Sequence, residues 1–310
     1  VADSPARIVV GGEALIDLII DRDGVITPKA GGGQYNAARA IARLGGDAHF
    51  LGRLTDDAFG LLLRDGLEAD GVGTALVVET DDPTTLVLAE IDAAGVAHYT
   101  WYIERTTVPG LELDDALQAL TPAPGALHVG TLGLAMEPIA DSLAALVAQV
   151  PAETLVMVDP NCRPTATPDF ERYMARMRRV LARADIVKGS DEDFEYLGLA
   201  STPEASARQL VGEGVGAVLV TQGSEVARGF CAGGEIEVPV PRVEVVDTVG
   251  AGDTFGGSFL AMWLEWGYGR ADLSDAPKLQ RAVAFAVKAA AVNCTRAGAE
   301  PPTRAEMGLA

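Results

Sequence analysis

The sequence predicts an α/β domain of three layers, with helices on both faces of a mostly parallel sheet and a small β-sheet lid beside it. Three observations carry this expectation. Short apolar runs recur at 8–10, 49–51, 126–129, 155–158, 185–188 and 217–220, and their continuous character is that of strands buried on both faces. Amphipathic segments of helical period fall at 36–44, 57–69, 137–149, 169–182, 203–212 and 278–294, which gives the β-α alternation of a doubly wound sheet. Two stretches, 13–30 and 83–103, break the alternation. The second has a hairpin pattern: Thr84 to Ile91, the turn Asp92-Ala93-Ala94-Gly95, then His98 to Tyr102.

At 310 residues and 48% hydrophobic content the chain can bury one large core. No repeat or linker divides it, so 1–310 reads as one domain, with 13–30 and 83–103 forming a lid able to exclude water from a site. In such sheets ligands bind beyond the carboxyl ends of the strands, where Asp159, Ser190 and Gly223 fall.

Forty-four acidic residues against 24 basic ones give a formal net charge of -20. A surface of that sign repels nucleic acid and anionic membranes. Three cysteines, Cys162, Cys231 and Cys294, are an odd number without CxxC spacing, so neither a disulfide framework nor a zinc site is expected. The start of the chain lacks a basic region ahead of its apolar residues, and no run approaches ~18 apolar positions. A cytoplasmic protein is the expectation. His49, His98 and His128 are scattered in β-like runs, which argues against a histidine metal centre or a Ser-His-Asp triad.

The most informative segment is Asp247-Thr248-Val249-Gly250-Ala251-Gly252-Asp253-Thr254-Phe255, where a β-like run through Val243, Val245 and Val246 is expected to end at a glycine-rich turn before a helix. Gly250 and Gly252 permit backbone conformations in which consecutive N–H groups converge at a helix N-terminus, a favourable place for phosphate. A carboxylate beside a phosphate is repelled unless it takes a proton from the attacking group, so Asp253 suggests phosphoryl transfer to a hydroxyl. A plain strand-to-helix turn with an Asp cap is the alternative. The segment lacks the Lys-Ser/Thr ending of a Walker A loop.

A second constellation is Gly31-Gly32-Gly33-Gln34-Tyr35-Asn36 ahead of an Ala/Arg-rich helix that ends at Gly45-Gly46. The glycines admit a close ligand and Asn36 offers a donor and an acceptor to hydroxyls, or caps the helix. Asp17, after Gly12-Glu13-Ala14-Leu15-Ile16, can accept from two sugar hydroxyls, or be a surface aspartate.

These two segments resemble the signatures of the PfkB, ribokinase-like carbohydrate kinases. The ordered matches continue between them: Gly52 to Gly60 resembles the Gly-x-x-x-Asp-Asp-x-Phe-Gly loop, Asp159-Pro160-Asn161-Cys162-Arg163-Pro164 the Asp-Pro-Asn-x-Arg-Pro segment, and Val220-Thr221-Gln222-Gly223 the nucleotide-side strand end. The resemblance implies a ribokinase-like (Rossmann-like) α/β fold and an ATP-dependent kinase, with Asp253 as catalytic base and the amides of Gly250, Ala251, Gly252 and Asp253 as anion hole. It also implies that Asp17, Gly32, Gly33 and Asn36 bind the sugar, with Arg163 beside them. Ser190, Thr221, Gly223, Gly252 and the 286–293 helix would border the nucleotide, magnesium would accompany ATP, and a potassium-type ion would lie at Asp247, Val249 and Gly298.

The family's Asn-x-x-Glu segment reads Ser190-Asp191-Glu192-Asp193, so Asp193 keeps a shorter carboxylate for an indirect role at magnesium. Val226 replaces a usual glycine. Gly-Glu-Ala-Leu-Ile-Asp and Ser190 look closest to the fructokinase branch, which implies transfer to a hydroxymethyl group of fructose. The acceptor loop has no Lys and the lid one clear cation, Arg105, so phosphosugars rank lower. A 2-keto-3-deoxygluconate kinase, whose substrate carboxylate would pair with Arg163 or Arg105, is the nearest rival. Ribokinase, nucleoside kinase and a non-catalytic sugar-binding protein follow; Trp101 and Tyr102 would stack on a nucleoside or simply pack the small sheet. A homodimer through the lid is compatible with its edge strands.

Overall fold

The apolar runs become strands in the computed structural model, which describes residues 6–21, 23–91 and 97–309. In chain order the strands are Arg7–Gly11 (β1), Leu15–Ile20 (β2), Ile26–Gly31 (β3), Asp47–Leu54 (β4), Val77–Glu79 (β5), Leu86–Ile91 (β6), Ala97–Tyr102 (β7), Ala126–Gly130 (β8), Leu155–Asp159 (β9), Ile186–Ser190 (β10), Ala217–Gln222 (β11), Val226–Cys231 (β12) and Gly234–Pro239 (β13). The helices are Gly33–Arg43 (α1), Ala58–Ala69 (α2), Leu113–Leu117 (α3), Ile139–Gln149 (α4), Phe170–Leu181 (α5), Asp191–Leu197 (α6), Pro203–Gly212 (α7), Ala251–Glu265 (α8) and Ala276–Cys294 (α9).

The described residues form a nine-stranded sheet in the order β13-β12-β11-β10-β9-β8-β1-β4-β5. From β5 to β11 neighbours run parallel, and β12 and β13 close one edge as an antiparallel hairpin. Side chains of β1 alternate between two cores. Val9 faces one with α4, α5 and α7, while Ile8 and Val10 face another with α1, α8 and α9. That is the three-layer arrangement the continuous apolar strands require, since a strand buried on both faces has no polar side.

Strands β3-β2-β6-β7 make a separate four-stranded sheet from the two stretches that break the alternation. β6 and β7 pair antiparallel, Leu86 opposite Tyr102 and Val87 opposite Trp101; the expected turn 92–95 lies outside the described residues. Asp57 ties this sheet to the main domain: its carboxylate caps α2 at Phe59 N and Gly60 N and also accepts from Thr84 N and Oγ1. Those hydrogen bonds hold its pKa below the ordinary value, against burial.

One local expectation fails and one element is new. Val243 to Val246 form no strand; Val245 and Val246 are exposed, and Val246 N and Asp247 N both reach the carbonyl of Cys294. The β12-β13 hairpin was not expected. Its tight link at Ala232-Gly233 is the signal present in the sequence. No described helix is long and apolar enough to cross a membrane.

Candidate active site

Strand β1 pairs with β4 on one side and β8 on the other, so the strand order reverses there and a crevice opens beyond the carboxyl ends. The N-terminus of α8 points into this crevice. Gly250 precedes α8 with φ 73°, and a Cβ at that position would lie 2.4 Å from Ala299 Cβ, so both conformation and space require glycine. No side chain caps α8. The Ala251 amide turns back to the Thr248 carbonyl at 3.2 Å, whereas those of Gly250, Gly252 and Asp253 have no partner among the described residues. Free amides and the helix dipole favour an anion at this point.

Asp253 stands in the first turn of α8 and is buried. Asn36 Nδ2, from α1, donates to its Oδ2 at 2.8 Å. Asn161 Nδ2 approaches Oδ1 at 3.5 Å. Burial raises the Asp253 pKa above the ordinary value, against the Asn36 hydrogen bond and the charges of Lys188 and Arg163. Such a carboxylate is a better proton acceptor than a solvated one.

The glycine loop carries Gly32 and Gly33 to the same crevice and starts α1, which places Asn36 one turn in. Asn36 Oδ1 is buried without a partner, an acceptor left over for a ligand hydroxyl. On β2, Asp17 faces the crevice, its carboxyl raised to about 6 by burial and by Asp253, against Arg163. Arg163 donates to the carbonyls of Asn161 and Cys162 and lines the same cavity.

Beside the first turn of α8 lies a buried ion pair that sequence reasoning missed. Lys188 Nζ, from β10, donates to Asp159 Oδ2 at 2.8 Å, and a Cβ on Gly252 would sit 3.0 Å from that nitrogen. Burial opposes the Lys188 charge, yet Asp159, Asp193 and Asp253 more than offset it and raise its pKa. Burial lifts Asp159 to about 6, against Lys188. Asp159 Oδ1 is buried and unpartnered.

Asp193 is held by three hydrogen bonds. Its Oδ1 accepts from Cys162 N at 2.6 Å, and its Oδ2 from Ser190 N and Oγ at 2.7 and 2.8 Å, a capping box at the start of α6. Thr221 and Gly223 continue the wall, Gly223 with φ 51° and open space around it. Beyond them Asp247 accepts from Val249 N at 3.0 Å and Gly298 N at 2.8 Å, gathering the three residues expected at a monovalent cation.

One cavity of about 1080 Å³ joins these features. Asp17, Gly32, Gly33, Asn36, Arg163, Ser190, Asp193, Thr221, Gly223, Asp247, Val249, Gly250, Gly252, Asp253 and Gly298 all line it. Arg105 does not: it is exposed at φ 53°, outside the lining. Residues 286–293 of α9 also stay outside it, and Asn293 instead braces the glycine turn by donating to the Val249 carbonyl at 2.9 Å. Glu13, Asn161 and Lys188 line the cavity without having been singled out from sequence. Among the described residues no three His, Cys, Asp or Glu side chains group as a metal site.

Residues 5–306 match the pfkB family carbohydrate kinases. A fructokinase of Rhizobium leguminosarum bv. trifolii is 37% identical over 255 residues, 81% of this chain and 77% of the relative. The structure of a Xylella fastidiosa fructokinase with bound ATP superposes with a TM-score of 0.89 at 29% identity, covering 97% of this chain and 96% of that one. A Vibrio cholerae O395 fructokinase bound to fructose, ADP and calcium gives 0.85 at 27% identity, with 99% of each chain covered.

Proposed function

The chain belongs to the pfkB family of carbohydrate kinases, and from that premise we propose that it transfers the γ-phosphoryl group of ATP to a hydroxymethyl group of fructose. The observation that carries the reading is the Asn36–Asp253 pair at an uncapped helix N-terminus inside one cavity. The acceptor hydroxyl lies against Asp253, which takes its proton as the oxygen attacks the γ-phosphorus and the bond from that phosphorus to the β–γ bridging oxygen breaks, releasing ADP. The amides of Gly250, Gly252 and Asp253 receive the equatorial oxygens of the transferring group, and Lys188 adds a cation behind them. Asp17, Gly32, Gly33 and the free Oδ1 of Asn36 hold the sugar's hydroxyls. Arg163 closes the acceptor side.

Ser190, Thr221 and Gly223 border the nucleotide. Magnesium supplies charge neutralisation on the ATP phosphates. The site fits a magnesium ion that would accompany ATP: Asp193, whose oxygens accept from three N–H and O–H donors, keeps acceptor capacity and would act on the ion indirectly. A potassium-type ion would rest on Asp247, Val249 and Gly298. The small sheet acts as a lid that excludes water, and its exposed edge residues Ile26, Tyr99 and Tyr102 suit a homodimer. Free cysteines suit a reducing, cytoplasmic setting.

Of the two arginines expected to meet a sugar-acid carboxylate, Arg105 lies outside the cavity and Arg163 lines it, so the sugar-acid reading rests on Arg163 alone. Coupled ADP release with magnesium, ATP and fructose, ribose, 2-keto-3-deoxygluconate or adenosine tests the assignment. Fructose should give the highest kcat/KM; preference for another acceptor overturns the fructose reading and leaves the kinase class in place.

A further inference from the structure

At the reversal of strand order, the turn after β1 and the turn after β8 meet around a carboxylate. Glu13 is fully buried. Its Oε1 accepts from Gly33 N at 2.7 Å, and its Oε2 accepts from Gly133 N at 3.1 Å. Its carbonyl oxygen takes a third bond from Tyr35 N at 3.2 Å. No ion pair reaches it among the described residues. Burial, opposed by these backbone donors and reinforced by Asp253, lifts its carboxyl to about 7.

A buried carboxylate without a cation is costly, so its geometry has to explain it. Two donors on two separate segments meet two acceptor oxygens on one side chain. α1 has no side-chain cap of its own, and Glu13 supplies that function from twenty residues upstream, where the helix dipole favours an anion. Gly133 belongs to the single turn Thr131–Leu134 that follows β8. Gly33 is the spacer in this arrangement. A Cβ there would lie 2.4 Å from Thr131 Oγ1, 3.2 Å from Glu13 Oε1 and 3.3 Å from Asp253 Oδ1. One helical turn beyond Gly33 stands Asn36, the partner of Asp253.

We propose that Glu13 is a positioning residue for the acceptor side of the reaction. Its two oxygens clamp the start of α1 to the 131–134 turn, and through α1 they fix where Asn36 meets Asp253. This rests on the kinase reading above. A neutral amide of the same shape offers one acceptor oxygen and turns its NH2 group toward the other N–H, so the clamp opens on one side.

The test is steady-state kinetics of wild type, Glu13→Gln and Glu13→Asp with fructose and magnesium ATP, at a pH well above 7 where the Glu13 carboxyl is ionised, beside thermal melting. Glu13→Gln should raise the fructose KM ~10-fold, the order expected for a lost charge-assisted hydrogen bond, with the ATP KM and melting cooperativity unchanged. Glu13→Asp, charged but too short to reach both amides, should show part of that loss. A role in stability alone would lower the melting temperature without separating the two KM values. An unshifted fructose KM, or equal shifts in both KM values, overturns the clamp. Failure of both variants to fold overturns it too, because Glu13 would then be a folding determinant. A wild type silent on every acceptor instead sinks the kinase reading on which the clamp depends.

Discussion

Asn36 Nδ2 donates to Asp253 Oδ2 at 2.8 Å, joining the first turn of α1 to the first turn of α8 across 217 residues of sequence. The contact puts a sugar-side residue and the candidate base into one unit. It also eases ionisation of Asp253 against the opposing effect of burial.

Asn36→Ala is therefore expected to do two things. The fructose KM should rise, because Oδ1 is lost to the sugar. The acid limb of kcat should move to higher pH, since one hydrogen bond to the ionised carboxylate is removed. Activity needs the ionised base, so a raised pKa means activity fails at a higher pH. A pH–rate profile checks this; an unmoved acid limb would separate Asn36 from the base.

Lys188 and Asp159 form a buried pair whose disruption should be severe. Lys188→Met leaves the Asp159 carboxylate without its cation, with an expected loss of about 3–5 kcal/mol in denaturant unfolding. Adding Asp159→Leu should restore much of that stability. Turnover should stay low in the double variant, because the cation behind Gly252 is still missing. Recovery of both properties together would reduce the pair to packing.

Gly250→Ala places a Cβ 2.4 Å from Ala299 Cβ at a φ of 73°. The glycine turn must shift, and the amides shift with it. We expect turnover to fall ~100-fold, the scale of a lost anion-hole donor, with the fructose KM changed far less. Equal losses in binding and rate would indicate general unfolding of the site.

Stability should decline as pH rises from about 4 to about 7. Glu13 titrates near 4.5 when unfolded and at about 7 when folded, and Asp17 and Asp159 move from 3.8 to about 6. Between those values the folded chain holds more protons, so unfolding free energy falls as pH increases. For Glu13 the interval corresponds to about 3 kcal/mol. Melting of the ligand-free protein at pH values spanning this window should show the slope, and Glu13→Gln should flatten it. An identical slope in the variant would remove Glu13 as its source.

Much of this was legible in the sequence because local pattern decides it. Continuous apolar runs dictate strands buried on both faces, and Gly250 to Asp253 announces its turn, its helix start and its carboxylate within four residues. Long-range pairing is where local reading stopped. Lys188 reads as the polar end of the apolar run 185–188, and its partner lies 29 residues away. Glu13 reads as one residue of an acceptor motif until Gly33 and Gly133 are seen to share it. The run Val243 to Val246 failed for a different reason: three valines suggest a strand, yet no neighbouring strand takes them up and they lie on the surface. Asp193 kept its carboxylate as expected, but the capping box that occupies it follows from Ser190 three residues earlier, a spacing visible in the sequence and not used.

The most direct measurement is ADP release from magnesium ATP and fructose by wild type and Asp253→Asn, with fructose binding followed by calorimetry. Loss of the base should cut kcat by ~100-fold or more while the isosteric amide keeps the fold and most fructose affinity. Turnover near wild type in Asp253→Asn would contradict the account, because the pairing of Asn36 with Asp253 would then hold no proton acceptor for the reaction.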